Sequence, residues 1–433
     1  MKTYLNPDIQ KQLDLIQRPY FDSTSLYASI TEIIDNVKVN GDKALREYTL
    51  RFDKSEIEEF LVTENEFIEA EQQISEELKQ AINNAKKNIT TFHTSQKENE
   101  KIIETSSGVY CWRKSVGIEK VGLYIPGGSA PLFSTVLMLA VPANIAGCKE
   151  IILCSPPGKD GKIHSAILYA AKISGVTKVF KVGGAQAIAA MAFGTESIAA
   201  VYKIFGPGNQ YVTAAKQLIN SKGIAIDMPA GPSEVLVFAD ETCVPAFVAA
   251  DLLSQAEHGS DSQVILVTTS QKTVYEVFSE LKNQIDILPR KEIAEKALAN
   301  SSTLIFDKAK ITEAISFIND YAPEHLILAI KDADAIAAQI TNAGSVFIGN
   351  YTPEAAGDYA SGTNHTLPTG GYAKSYSGVS LDSFVRKITF QKISEKGINE
   401  LGKTIITMAE AEQLQAHSNA IKIRMNNENE AGF

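Results

Sequence analysis

Cysteine is scarce: Cys111, Cys148, Cys154 and Cys243 are the only four in 433 residues, and no two form a CxxC pair. Thiols so scattered exclude a disulfide framework and predict reduced cysteines, packed as small apolar groups in a reducing compartment. Positive charge is also in short supply. The 41 Lys and Arg face 51 Asp and Glu, a net charge of −10, which leaves no basic stripe for nucleic acid. Long apolar runs are missing. The best stretch, "APLFSTVLMLAVPANIAG", carries two prolines and falls short of the roughly 20 residues of a membrane span. The opening "MKTYLNPDIQKQLDLIQRP" has no continuous apolar stretch of the signal-peptide kind. We therefore expect a cytoplasmic protein acting on small molecules, with no nucleic-acid or membrane partner.

What is present describes a globular chain: 44% apolar and 21% charged residues, at a length that predicts two or three packed units. Residues 1–108 are rich in Lys, Glu, Gln and Asn and repeat apolar residues at helical spacing, with a break at Gly41. His93 is expected at the solvated end of one of these helices. From residue 109 the character changes to short apolar runs that end in glycine or proline: "VGLYIPGG", "EIILCSPPG", "KVFKVGGAQA", "KIFGPGN". Ala-rich helical stretches lie between them, the pattern of βαβ units on a buried parallel sheet. A second series, "SEVLVFAD", "SQVILVTTS", "STLIFD", "HLILAI" and "AGSVFIGN", repeats the theme. The expected fold is thus α/β: two Rossmann-like halves with incomplete parallel sheets, at 109–235 and 236–385. The helical region 1–108 packs on them, and a small helical tail, 386–433, follows. "KVFKVGG" and "GSVFIGN" read as equivalent strands of a duplicated unit. A tail this short must dock on something to be stable.

Six histidines occur in the chain. In "LLSQAEHGSDSQ", Gln255 and His258 are three apart and share a helix face, while Glu257 turns away. Alone, the pair fits a helix-ending histidine bonded to its own loop as well as two metal ligands. "YAPEHLIL" sets Glu324 beside His325 just after Pro323, at an expected helix start or tight turn. A carboxylate next to an imidazole offers two general bases of different pKa, or simply an exposed polar pair. The long Gly/Ser/Thr-rich loop 353–378 bears Asp358 and His365, and long loops in folded domains are usually functional. The tail helix carries Glu412 and His417. Gln255, His258, Asp358 and His417 make a plausible nitrogen and oxygen set for zinc. No HExxH and no GxGxxG occur. Instead, "VGGAQAIAAMAFGT" and "FGPGNQYVTAAK" place glycine turns before helices, where free N–H groups suit a phosphate or the chain is simply closely packed.

Taken together and in order, "VGLYIPGG", "VGGAQAIAA", "FGPGNQYV", "AGPSEVLV", "LLSQAEHG", "APEHL", "GDYASGTNHTLPT" and "EAEQLQAH" resemble the motifs of histidinol dehydrogenases. The resemblance runs from about residue 20 to 425. It implies a zinc-dependent, NAD-linked oxidoreductase of histidine biosynthesis that oxidises L-histidinol through enzyme-bound L-histidinal to L-histidine. By motif, it implies one zinc ion per subunit on Gln255, His258, Asp358 and His417. It implies substrate contacts from Ser233, His325, His365, Glu412 and the ligands, and NAD contacts from Tyr124, Gln186 and Asn209. His325 becomes the general base and Glu324 the group that activates water in the second oxidation. It further implies a homodimer whose tails cross so that active sites are shared. One departure is visible: the family often has glycine where this tail has Gln413.

Two rival classes remain on the residues alone. A zinc hydrolase would use Glu324 or Glu257 as base, with an open metal position and no NAD. A metal-free α/β binding protein would need neither metal nor turnover. The paired glycine turns favour the dehydrogenase.

Overall fold

Apolar runs too short for helices and too continuous for exposed strands belong inside parallel sheets, and that is where they lie. The computed structural model describes residues 1–18, 24–127, 131–228 and 231–426. Gly128 of the first motif, Ala230 of the fourth and the tail beyond 426 fall outside the described residues. The chain divides into two units, Met1–Ser95 with Ile118–Phe384, and Gln96–Gly117 with Val385–Phe433.

The first unit holds two parallel sheets. In one, the strand order is Lys178–Lys181, Glu150–Ser155, Lys120–Tyr124, Lys203–Phe205, Ala225–Ile226. In the other it is Ser302–Ile305, Gln263–Thr268, Glu234–Ala239, His325–Ala329, Ser345–Ile348. Each half therefore begins at its centre, grows outward to one edge, then returns to build the other side. Every residue of Glu234–Ala239 is buried, because helices cover both sheet faces. The two halves share one topology, but not through the strands the sequence suggested. Lys178–Lys181 is the third strand of its half and an edge, equivalent to Ser302–Ile305. Ser345–Ile348 is the fifth strand and the opposite edge, equivalent to Ala225–Ile226. Short apolar strands look alike whichever edge they occupy.

The N-terminal region is helical as expected: Thr24–Tyr48, bent at Gly41, then Glu64–Gln73 and Glu76–Thr94. A Thr63–Glu66 capping box starts the second of these, each side chain satisfying the other residue's backbone N–H. All three pack on helices of the first half. Before them, Lys2–Leu5 is a strand. It extends the second sheet beside Ser302–Ile305, so the first residues of the chain complete its last-built half. His93 is not solvated. It is completely buried, with its ring edge-on to Phe92, because it continues the inward face of Ile82, Ala85 and Ile89 to the last residue but one of its helix. Cys148 and Cys154 are buried and Cys111 and Cys243 half-buried, all as free thiols.

The second unit pairs Val109–Gly117 in antiparallel fashion with Val385–Ile393 on one side and Ile103–Ser106 on the other. Trp112 stacks on Phe390 across the first pair at 5.4 Å. Helices Glu395–Ala411 and Gln415–Asn426 follow and pack on each other. Among the described residues, no helix is long and apolar enough to cross a membrane.

Candidate active site

Helix Ile311–Tyr321 stops at Ala322, which takes a left-handed backbone (φ 51°). Pro323 cannot continue a helix, and His325 opens a strand. Of the helix start or tight turn expected at Pro323, there is no helix start: the chain turns at Ala322 to Glu324 and enters a strand. The strand's register puts His325 beside Val235, at the amino ends of two neighbouring strands. Glu324 and His325 are both buried, and both bond to the main chain of one residue. The N–H of Glu234 donates to Glu324 Oε2 at 2.9 Å, and its carbonyl oxygen lies 3.1 Å from His325 Nδ1.

Three carboxylates surround the imidazole. Glu324 Oε2 and Glu354 Oε1 are each 3.7 Å from His325 Nδ1, and Asp358 Oδ1 is 3.6 Å from Nε2. Burial alone pulls the His325 pKa down, but Glu354, then Glu324 and Asp358, outweigh it and raise it to about 10. Burial pushes Glu324 up to about 7 and Glu354 up to about 8. For Asp358 burial opposes ionisation, but the hydrogen bond and charge of His325, helped by His365 and His258, hold it below the usual carboxylate range.

Glu354 escaped the sequence reading. Both of its carboxylate oxygens are buried without a hydrogen-bond partner, and one oxygen of Glu354, one of Asp358 and a nitrogen of His325 lie within 4.8 Å of one another. Its signal was present: in "PEAAGD", Glu354 and Asp358 are four apart on the short helix Glu354–Tyr359, hence on one face.

Gln255 ends helix Pro245–Ala256 fully buried, and its Nε2 lies 3.2 Å from His258 Nδ1. Its Oε1 has no partner. Burial holds His258 below its ordinary pKa, and its ring feels the charge of Asp358. These three expected ligands thus belong to one site with Glu324 and His325. His365 reaches it too, but with both ring nitrogens engaged: Nδ1 is 2.8 Å from the Asp358 carbonyl oxygen and Nε2 3.0 Å from Thr135 Oγ1. Ser233 and His258 line a cavity of about 490 Å³ that runs between the halves to Asn209 and Thr213.

Asn209, Gln186 and Tyr124 line an adjoining cavity of about 590 Å³, together with Phe52 and Asp53. It opens where the strand order of the first sheet reverses, between the loops after Lys120–Tyr124 and Lys203–Phe205, the usual place for a ligand on an open α/β sheet. Tyr124 OH accepts the N–H of Gly184 at 3.0 Å, and Asn209 Oδ1 caps helix Gln210–Ser221 through the N–H groups of Tyr211 and Val212. Gln186 Oε1 and Asp53 Oδ2 are buried and unpartnered. Gly206 brings this loop against the Tyr124 strand: its φ is 124°, and a Cβ there would sit 2.1 Å from the Tyr124 carbonyl oxygen. Only glycine fits.

Glu412 and His417 lie in the second unit, both exposed. Glu412 closes helix Glu395–Ala411 and His417 sits on Gln415–Asn426.

The histidinol dehydrogenase family model matches residues 16–425. The histidinol dehydrogenase of Bacteroides fragilis is 58% identical over 98% of this chain and 99% of its own length. That of Escherichia coli is 52% identical over 96% and 95% respectively. The chain belongs to the histidinol dehydrogenase family. It is an oxidoreductase of histidine biosynthesis. The crystal structure of the family member from Elizabethkingia anophelis superposes with a TM-score of 0.97 at 56% identity, covering 99% of this chain and 98% of that one.

Gln413, expected to depart from the family, occupies a specific backbone position. Gln413 adopts φ 60° at the end of helix Glu395–Ala411. Its N–H reaches the Glu410 carbonyl at 3.0 Å and that of Leu414 reaches Ala409 at 2.8 Å. This pair of bonds is the Schellman motif, whose left-handed position is normally glycine. Here a side chain occupies it.

Proposed function

We propose that the protein carries out the four-electron oxidation of L-histidinol to L-histidine through bound L-histidinal, using NAD and one zinc ion per subunit. The observation that carries this reading is His325, buried among three carboxylates, together with the buried, unpartnered amide oxygen of Gln255, whose amide nitrogen lies against His258.

The residues fit a zinc ion. Gln255 Oε1 is a buried oxygen donor with no protein hydrogen bond, His258 is held neutral by burial, and Asp358 brings one negative charge. His417 would complete a nitrogen and oxygen set of the kind zinc accepts, from its own or a partner subunit's tail in the proposed homodimer. Zinc supplies an electrophilic template for the substrate's nitrogens, and NAD supplies the hydride acceptor that redox-inert zinc cannot. Tyr124, Gln186 and Asn209 would hold the dinucleotide, with the Asn209 carbonyl already committed to its helix and only Nδ2 left to donate.

His325 would take the hydroxyl proton of histidinol in the first oxidation. A base must be neutral, and the surrounding carboxylates favour the charged ring. A cation held by Asp358 would offset them and favour the neutral ring that His325 needs as base. Glu324, with Oε2 held by the Glu234 amide, would take a proton from water as it adds to the aldehyde. Its pKa of about 7 suits proton transfer at neutral pH. Ser233, Glu412 and His365 would contact substrate, His365 by exchanging its Thr135 bond. Enclosure keeps the reactive aldehyde from escaping. Four unpaired thiols fit a reducing, cytoplasmic setting.

The test is the NADH formed per molecule of limiting L-histidinol, before and after chelation and zinc repletion. Two NADH, lost on chelation and restored by zinc, support the reading. One NADH shows that the aldehyde leaves and removes the role of Glu324; none with zinc present overturns the whole.

A further inference from the structure

Glu234 bonds through its main chain to the side chains of both Glu324 and His325, and its own side chain is held by a residue far away in sequence. Its carboxylate is almost fully buried. Arg18 grips it with two parallel bonds, Nε to Oε1 at 2.9 Å and Nη2 to Oε2 at 2.8 Å. The Gly370 amide adds a third bond, to Oε1, at 2.9 Å. Arg18 is itself fixed: Nη1 donates to the Ile16 carbonyl at 3.1 Å, and the guanidinium lies over the Tyr321 ring, 3.6 Å from its centre. Tyr321 ends the helix that leads to Glu324 and His325. The clamp thus touches the catalytic strand from both sides: through Glu234 on the neighbouring strand, and through Tyr321 on the incoming helix.

We infer that Arg18 is a positioning residue for the oxidation, acting through Glu234 to hold the Glu324 carboxylate and the His325 ring in their working orientations. The Glu234 carbonyl keeps the proton of His325 on Nδ1 and leaves Nε2 as the nitrogen that accepts. The Glu234 N–H fixes Glu324 Oε2 where it stands, 3.7 Å from His325 Nδ1, so Oε1 remains the oxygen for water. A lysine cannot reproduce the two parallel bonds or the flat stacking on Tyr321. Without the guanidinium a buried carboxylate is left unpaired at the start of the central strand, and its peptide unit no longer has a fixed plane. The inference rests on the acid–base reading of Glu324 and His325.

The experiment measures steady-state kinetics on L-histidinol and, separately, on L-histidinal with the zinc-loaded protein, for Arg18→Lys, Arg18→Ala and the neutral pair R18Q/E234Q. Loss of a supporting contact around a site commonly costs about 10- to 100-fold. For Arg18→Lys and Arg18→Ala we expect a fall of that order in kcat with KM changed less than about threefold, on both substrates. Millimolar methylguanidinium should restore a good part of the R18A rate. The R18Q/E234Q pair leaves no unpaired buried charge and should keep the wild-type melting temperature to within a few degrees, so it reports on kcat even if R18A does not fold. Unchanged kcat in Arg18→Lys and in the neutral pair, or a loss confined to KM, overturns the inference. Glu324→Gln is run alongside. If Glu324→Gln keeps full turnover of histidinal, the acid–base reading fails; if it loses turnover while the Arg18 variants do not, only the clamp fails.

Discussion

Gln255 Nε2 and His258 Nδ1 stand 3.2 Å apart, while the amide oxygen of the same glutamine is buried with no partner. Burying an unpaired carbonyl costs on the order of 1–3 kcal/mol, so the protein without metal carries a penalty that a cation would relieve. Gln255→Leu should leave the metal-free protein at least as stable as wild type, while lowering zinc affinity by roughly tenfold or more. Melting curves in chelator and zinc titration by calorimetry check both. A destabilised metal-free Gln255→Leu would instead make Gln255 a packing residue.

A second prediction concerns the loop that carries Asn209. Lys216 and Asp227 form a buried ion pair, with Lys216 Nζ also bonding the Gly206 carbonyl and Asp227 the Gly206 N–H, each at 2.8 Å. Removing one partner strands the other charge, at about 3–5 kcal/mol. Lys216→Met should lower the melting temperature markedly and weaken NAD binding by loosening Gly206 to Asn209. Denaturant unfolding and a binding isotherm read the two effects separately.

Asp53 sets a pH dependence. Burial pushes its carboxyl up to about 6. An acid with a raised folded pKa binds a proton that the unfolded chain does not, so its penalty is absent near pH 4, grows as pH rises, and is complete above about 6. Asp53→Asn should therefore melt higher than wild type at pH 8, with the gap closing as pH falls to 4. Equal gaps at both pH values would show that Asp53 does not titrate in this window.

Gln413 holds a left-handed backbone where glycine carries no steric cost. Replacing it should relieve about 1–2 kcal/mol of strain, less the entropy that glycine adds to the unfolded chain. Gln413→Gly should raise stability by up to about 1 kcal/mol. A lower melting point would mean that the Gln413 side chain makes a compensating contact.

The α/β class and the split into two halves were legible because burial on both sheet faces demands unbroken apolar strands, as in "EIILCS" and "SEVLVFA". Gln255, His258, Glu324, His325 and Asp358 could be singled out in the sequence only as residue types in motifs. Equivalent strands were not: "KVFK" and "SVFI" are interchangeable as apolar runs, and only their neighbours distinguish one edge from the other. His93 was misplaced because the polar residues around it suggest solvent, whereas its own position lies on the inward face. Glu354 hid among ordinary surface-like residues, since a carboxylate has no pattern that announces burial.

Local physics needs only near neighbours in the chain, so period, capping, turns and helix faces can be read directly from residue order. The Thr63–Glu66 capping box is of this kind. Arg18 and Glu234 are 216 residues apart, and Lys2–Leu5 pairs with a strand some 300 residues later. Their meeting depends on which strands become neighbours and in what register, a choice made by the summed packing of two sheets. Two of the three carboxylates around His325 arrive for the same reason: Glu324 is its neighbour in the chain, but Glu354 and Asp358 are brought to the imidazole by the packing of one short helix.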